Sequence, residues 1–156
     1  MPIQGKLLSY GDDLSEVFTI RRKVFVEEKQ IPEEKEFDNY DAEAMHVVVY
    51  EEEGNKKAVA TGRIEYNGQD CRIGRVAVLE EYRGKRYGDF AVRMLLNRAF
   101  MAGIKEVTIT NEVTLEPFFS KIGFRRVKNE MDETGLKFCI MNINANDMTT
   151  LCNKEV

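Results

Sequence analysis

Val76-Ala77-Val78-Leu79-Glu80-Glu81-Tyr82-Arg83-Gly84-Lys85-Arg86-Tyr87-Gly88 decides the reading of this chain. An apolar strand enters a short turn that holds two glycines and three cations, and a helical pattern begins at once. Backbone N–H groups at a helix start have no intrahelical partner, and the helix dipole adds partial positive charge there. Glycine lets the backbone come close to an anion, while Arg83, Lys85 and Arg86 supply formal charge. The plain alternative is a solvated basic turn. Its place between a Val/Ile-rich strand and a long amphipathic helix favours an anion pocket instead.

The totals bound what such a pocket serves. A chain of 156 residues is expected to fold as one domain with a real core. Apolar content of 43% and charged content of 32% describe an ordinary globular protein. No apolar run approaches the ~18 residues of a membrane span, and the N-terminus lacks a signal-peptide pattern. Cys71, Cys139 and Cys152 are odd in number and widely spaced. That usage fits a reducing cytoplasm and argues against a disulfide scaffold or a metal site.

The net charge of −4 conceals an asymmetry. Residues 1–53 hold 14 acids and 6 bases, leaving 13 acids and 17 bases of the totals of 27 and 23 for residues 54–156. An anionic ligand at the glycine turn and a cationic substrate near the acids of 27–53 would suit that division. Extended nucleic acid would not, since no continuous basic stripe exists. Otherwise both charge sets serve solubility alone.

Residues 3–10 read as a strand. Asp13 with Glu16 forms a capping-box start for a helix carrying Leu14, Val17, Phe18, Val24 and Phe25 on one face. Residues 29–43 are expected as a loop. His46–Glu52 and Ala58–Tyr66 read as strands joined near Gly54-Asn55, followed by a strand over Arg72–Leu79. Ala91, Met94, Leu95, Ala99 and Ala102 mark a helix ending at Gly103. Val107–Thr110 is a strand closed by Asn111. Thr114 caps a short helix that ends at Gly123. Two closing strands, 124–131 and 136–142, flank Glu133-Thr134-Gly135. The predicted order is β-α-β-β-β-α-β-α-β-β, an α/β (α+β) mixed sheet over residues 1–145, with a weakly patterned tail over 146–156.

These residues together resemble the GNAT superfamily of acetyl-CoA-dependent N-acetyltransferases over roughly residues 3–142. The family's Gln/Arg-x-x-Gly-x-Gly/Ala motif falls on Arg83, Arg86 and Gly88. Arg75-Val76-Ala77-Val78 matches the strand that pairs with pantetheine, and Asn111 matches the Asn closing the next strand. Phe118-Phe119-Ser120-Lys121-Ile122-Gly123-Phe124 matches the family's Phe-Tyr-x-Lys-x-Gly-Phe segment. Arg21-x-x-Val24-Phe25-x-x-Glu28 with Asp38-x-x-Asp41 is similar to a small bacterial branch often called ElaA-like. Two departures stand out: the first motif glycine is Arg86, and the usual general-acid tyrosine is Phe119.

The resemblance implies a central splayed pair of parallel strands, ending at Val78 and Asn111. Acetyl-CoA would lie between them, with pantetheine along Val76, Ala77 and Val78. Its diphosphate would sit on Arg83, Gly84, Lys85, Arg86, Tyr87, Gly88 and Asp89, with Asn111 and Phe118 also near the cofactor. The Val78 N–H would then stabilise the developing oxyanion, and a neutral amine, on a small molecule or a protein, would attack directly. Glu28 and His46 are the candidate bases; for each, a structural or surface role stands beside the catalytic one. Arg21 either snorkels to the edge of its helix or points into a cleft to meet an acid or a substrate carboxylate. Arg63 and Arg75 pose the same question, and with Glu28 the three are the candidate acceptor-site residues. No metal is implied, no membrane partner is expected, and a homodimer is compatible with the resemblance. Phe119 motivates a second reading, a CoA-binding regulatory or catalytically impaired domain. A P-loop fits poorly, because Arg86 stands where a magnesium-binding Ser/Thr belongs. A thiol-acyl intermediate on Cys71 or Cys139 competes with their simpler role as core.

Overall fold

Two periodicities build the described part of the chain, residues 3–52, 56–68 and 70–149 of a computed structural model. Alternating or continuous apolar runs give strands, and 3.6-residue stripes give helices. In chain order these are β1 (Gln4–Leu8), α1 (Ser15–Arg21), a π-helical stretch (Arg22–Glu28) and a one-turn α2 (Glu33–Glu36). They continue with β2 (Met45–Tyr50), β3 (Ala58–Asn67), β4 (Asp70–Val78), α3 (Tyr87–Met101) and β5 (Glu106–Glu112). The series closes with α4 (Glu116–Ile122), β6 (Arg125–Met131) and β7 (Lys137–Asn144). Seven strands form one mixed sheet in the order β1-β2-β3-β4-β5-β7-β6. The predicted order is therefore borne out, with α2 added inside the segment expected as a loop. The expected turn at Gly54-Asn55 lies outside the described residues, as do Cys152 and residues 150–156 of the tail. Among the described residues no helix is long and apolar enough to cross a membrane.

Packing gathers the chain into two units, Met1–Glu65 with Arg75–Leu95 and Tyr66–Gly74 with Leu96–Val156. In the first, β1 pairs antiparallel with β2 (Leu8↔His46) and β2 with β3 (His46↔Arg63). Val47, Val48 and Val49 are all fully buried. Consecutive strand residues point to opposite faces, so β2 is covered on both. Val48 packs with Leu8 and with Val17 of α1. On the other face Val47 and Leu95 of α3 both approach Gly62, where the missing side chain lets the helix lie against the strand.

The start of α1 departs from the capping box. Leu14 occupies the cap position without a side-chain cap bond. Asp13 instead accepts the Ser15 N–H at 2.9 Å, and Glu16 accepts the Tyr50 hydroxyl at 2.6 Å. A tyrosine on the neighbouring strand outcompetes the backbone for the glutamate. Past Arg21 the helix widens: Lys29 N–H reaches Val24 O, five residues back, which is π geometry.

In the second unit β4 begins a parallel pairing with β5 at Arg72↔Thr108 and Ile73↔Ile109. Parallel neighbours need a long crossover, and α3 supplies it between these strands. β5 runs on past Asn111 to Glu112 and pairs antiparallel with β7, placing Asn111 opposite Cys139. β6 lies outside β7, with the pairing shifted between Arg126 and Lys128 so that Val127 is the extra residue. Every residue of β6 is exposed. Phe119, Ile122, Phe124, Met141 and Ile143 are buried. α4 ends at Gly123, whose φ of 125° is open to glycine and strained for other residues. A Cβ at that position would also overlap the Asp147 carbonyl.

Gly123→Ala is therefore expected to cost more than ~2 kcal/mol, from backbone strain plus overpacking. Gly135 also has positive φ, 89°, but faces open space. Gly135→Ala should cost only ~1 kcal/mol. Urea unfolding of the two variants would show equal losses if the Asp147 overlap were irrelevant.

Candidate active site

The apolar run Val76-Ala77-Val78 closes β4 as expected, with Ala77 buried and the two valines half-buried. The turn that follows adopts two left-handed residues, Gly84 at φ 79° and Arg86 at φ 73°. The second is where the family motif has a glycine, so this chain holds an arginine in a conformation that costs ~1–2 kcal/mol for a side chain. Arg83, Gly84, Lys85 and Arg86 are exposed, whereas Tyr87 and Gly88 are buried at the start of α3. The Tyr87 hydroxyl accepts the Glu52 N–H at 3.0 Å. Its ring meets Tyr82 edge-on at 6.2 Å, and the ammonium of Lys85 lies 5.8 Å from the Tyr82 ring centre. Asp89, in the first helical turn, is ion-paired with Arg93. Exposed cations and a helix start thus stand together on one turn of the first unit.

Arg83 is engaged. Its Nε donates to the Val78 carbonyl at 3.0 Å, and both terminal nitrogens donate to Glu28, each at 2.7 Å. Glu28 is consequently held below the usual carboxylate range, by the Arg83 hydrogen bonds first and its charge as well. His46 has no exposed surface. Its Nε2 donates to the Asp41 carbonyl at 3.0 Å, and Nδ1 has no partner among the described residues. Burial lowers its pKa, which favours the neutral ring.

The three arginines of the apolar stripes converge on acids of the chain itself. Arg21 pairs with Glu36 at 2.8 Å and Asp41 at 2.7 Å. Arg63 pairs with Asp41 and with Asp38, both at 2.9 Å. Arg75 pairs with Asp38 and with Glu36, both at 3.1 Å. Each carboxylate bridges two guanidiniums, and the six groups close into a ring of alternating charge. Arg21 is 0% exposed and Glu36 3%. Glu65 adds a contact to Arg63 at 3.0 Å. Arg75 itself is left-handed, φ 53°, one residue before Val76. The ring holds that strained position against the loop that carries Glu36 and Asp38.

The sequence reading left open that these arginines meet acids, without saying which. The signal was present in the apolar stripe around Arg21: a guanidinium on a buried face needs carboxylates nearby, and the loop of residues 29–43 is where they are dense. A cavity of about 700 Å³ borders the same loop, lined in part by Asp12, Asp13, Phe18, Glu33, Phe37 and Asp38. Its carboxylates are already used. Asp12 accepts the Ser9 N–H, Asp13 the Ser15 N–H, and Glu33 pairs with Arg22. The acidity of the N-terminal third therefore serves the fold to a large extent.

In the second unit Asn111 is buried, with Oδ1 accepting from the Cys139 thiol at 3.5 Å and Nδ2 unpartnered among the described residues. Phe118 stacks edge-on against Phe119 at 4.9 Å, and Phe119 against Phe124 at 5.7 Å. The ring at the usual tyrosine position is a core residue, 3% exposed. Cys71 is buried, and desolvation pushes its thiol up to about 11, which disfavours a thiolate nucleophile.

A family model for the acetyltransferase (GNAT) domain matches residues 13–145. The chain belongs to the GNAT acetyltransferase family. It is an acyltransferase by that membership, and acyl-CoA is the family's donor. The Bacillus subtilis protein YyaT is 30% identical over 139 residues, which cover 87% of this chain and 92% of YyaT. The uncharacterized N-acetyltransferase YjcF of the same organism is 30% identical over 114 residues, 73% of this chain and 79% of YjcF. Escherichia coli ElaA shares the fold, with a TM-score of 0.79 at 23% identity over 92% of this chain and all of that one. The GNAT motif positions Arg83, Arg86 and Gly88 thus fall on the strand–turn–helix described above.

Arg21→Met should destabilise this GNAT domain by ~3–5 kcal/mol, because it strands two buried carboxylates; urea unfolding measures it. A pH dependence follows from the same ring. Burial works against the charged forms of Asp38 and Asp41, yet the arginine hydrogen bonds prevail and hold both below the usual range, whereas at the more buried Glu36 burial prevails and raises the carboxyl. An aspartate held low adds stability above its unfolded pKa, ~3.9, and loses it as pH falls through the lower folded value. The urea midpoint should drop on acidification below about pH 4 as Asp38 and Asp41 are protonated, a loss partly offset by Glu36 and smaller in Arg21→Met.

Proposed function

We propose that this GNAT enzyme transfers an acetyl group from acetyl-CoA to a primary amine by direct attack in a ternary complex. The observation that carries the reading is the turn from Arg83 to Arg86, exposed, cationic and twice left-handed, leading into the first turn of α3. An anion there meets N–H groups without intrahelical partners and the positive end of a 15-residue helix. The coenzyme's diphosphate is an anion of that kind. The residues present fit it: Lys85 and Arg86 supply charge beside the Gly84 backbone, and buried Gly88 brings the helix start close. In this reading Val76–Val78 line the pantetheine arm. The Val78 N–H stabilises the oxyanion as the amine adds to the thioester. The nitrogen–carbon bond forms, the carbon–sulfur bond breaks, and CoA departs as a thiolate that takes its proton from solvent.

A thiolate of pKa ~8.5 leaves without much help from an acid, so a core phenylalanine at position 119 is compatible with turnover. The amine must arrive neutral. His46 has no exposed surface and Glu28 has both oxygens on Arg83, so the proposed mechanism routes the amine's proton to solvent. The reaction is then expected to speed up as pH rises toward the pKa of the amine.

Acetyl-CoA should raise the thermal midpoint while ATP does not, and free thiol should appear with at least one member of a primary-amine panel. Lys85→Ala should weaken acetyl-CoA binding about 10- to 150-fold, the ~1.5–3 kcal/mol of one charged hydrogen bond. Tight CoA binding without turnover of any amine would favour the CoA-binding regulatory reading. Absence of CoA binding would remove both.

A further inference from the structure

We infer that Glu28 serves acyl transfer as a positioning residue, fixing through the Arg83 guanidinium the peptide unit that follows Val78. The inference rests on the acetyl-transfer reading for its consequence, and on geometry alone for its first part.

The guanidinium of Arg83 faces two elements at once. Its fork presents NH1 and NH2 to Glu28 Oε2 and Oε1, both at 2.7 Å, and its Nε to the Val78 carbonyl at 3.0 Å. The Leu79 N–H donates to the Val59 carbonyl at 2.9 Å. The peptide between Val78 and Leu79 is therefore held at both polar edges, by a side chain on one and by β3 on the other. A peptide plane pinned at both edges cannot rotate without breaking a bond. It shares the Val78 Cα with the preceding peptide, the one carrying the Val78 N–H. Orientation of the proposed oxyanion donor is thus tied to a contact that begins at Glu28.

Glu28 is in turn fixed by how its helix ends. The wide turn closes with Lys29 N–H on Val24 O at 3.1 Å and Ile31 N–H on Phe25 O at 2.9 Å, with Gln30 left-handed at φ 62°. An α-helical continuation would place residue 28 one residue out of register, about 100° around the helix axis at ~3.6 residues per turn. The π-helical stretch sets the carboxylate where both oxygens meet the fork. Arginine is required at position 83 for the same reason. A lysine offers one point charge and cannot reach a carboxylate and a carbonyl in one plane.

This assignment differs from a general base in what it predicts. A base needs a free lone pair toward the amine, whereas here the carboxylate acts through Arg83 and never touches the substrate. The test is amide hydrogen exchange by NMR on Glu28→Ala, Arg83→Lys and the double variant, with the pH–rate profile of Glu28→Gln. The strut requires exchange of the Leu79 amide to accelerate about tenfold or more in each single variant, with no further gain in the double variant. It also requires Glu28→Gln to lower kcat without removing a limb of the pH profile. Unchanged Leu79 exchange in both single variants would overturn it. Loss of an acidic limb in Glu28→Gln with unaltered exchange would overturn it too, and restore the base. Exchange is read on the unliganded chain, so the strut is judged even if no amine turns over; that failure would count against acetyl transfer alone.

Discussion

Three guanidiniums, those of Arg21 and Arg63 buried and that of Arg75 half-buried, constrain the first unit. Each buried ion costs several kcal/mol in hydration even after relaxation. The cost is bearable only if every charge is matched by geometry and hydrogen bonds. Glu36, Asp38 and Asp41 provide this as bridges, two arginines apiece. The loop between α1 and β2, dense in charge and poor in apolar residues, therefore has one acceptable position. That loop fixes Arg75, and Arg75 precedes the strand segment on which acyl-CoA binding is proposed. A surface-looking segment thereby becomes internal architecture.

The same reasoning explains what could be read from the sequence. Strands β2 and β3 were legible because Val47-Val48-Val49 and Val59-Ala60 are apolar beyond what a one-faced strand needs. α3 was legible from Ala91, Leu95 and Ala99, and α4 from the Gly123 stop. The turn at 83–88 was legible as a turn because two glycines and three cations separate an apolar strand from a helical stripe. The site's inner wiring was not. No local pattern says that Glu16 prefers Tyr50 to its own backbone, or that Glu28 and Arg83, 55 positions apart, share a fork. Such pairings depend on which strands become neighbours.

The π-helical stretch was hidden for a related reason. Val24 and Phe25 suit a helical stripe of either period, and only the positions of Glu28 and Ile31 separate the two. The wide turn is held by tertiary partners: Arg83 grips its last residue, and the Ile31 N–H reaches back to Phe25 O. Propensity is a weak guide where long-range contacts decide. Asn111 illustrates the complementary case, a position marked by resemblance whose amide nitrogen the described residues leave without a partner.

The outermost strand of the sheet has a bearing on how copies of the molecule meet. β6 is exposed along its full length, carries Arg125, Arg126 and Lys128, and breaks step at Val127. A rim of this kind offers an approaching chain like charges and an interrupted row of amides, the features that discourage intermolecular strand addition. Concentrated solutions should thus be less prone to fibrous stacking along this border.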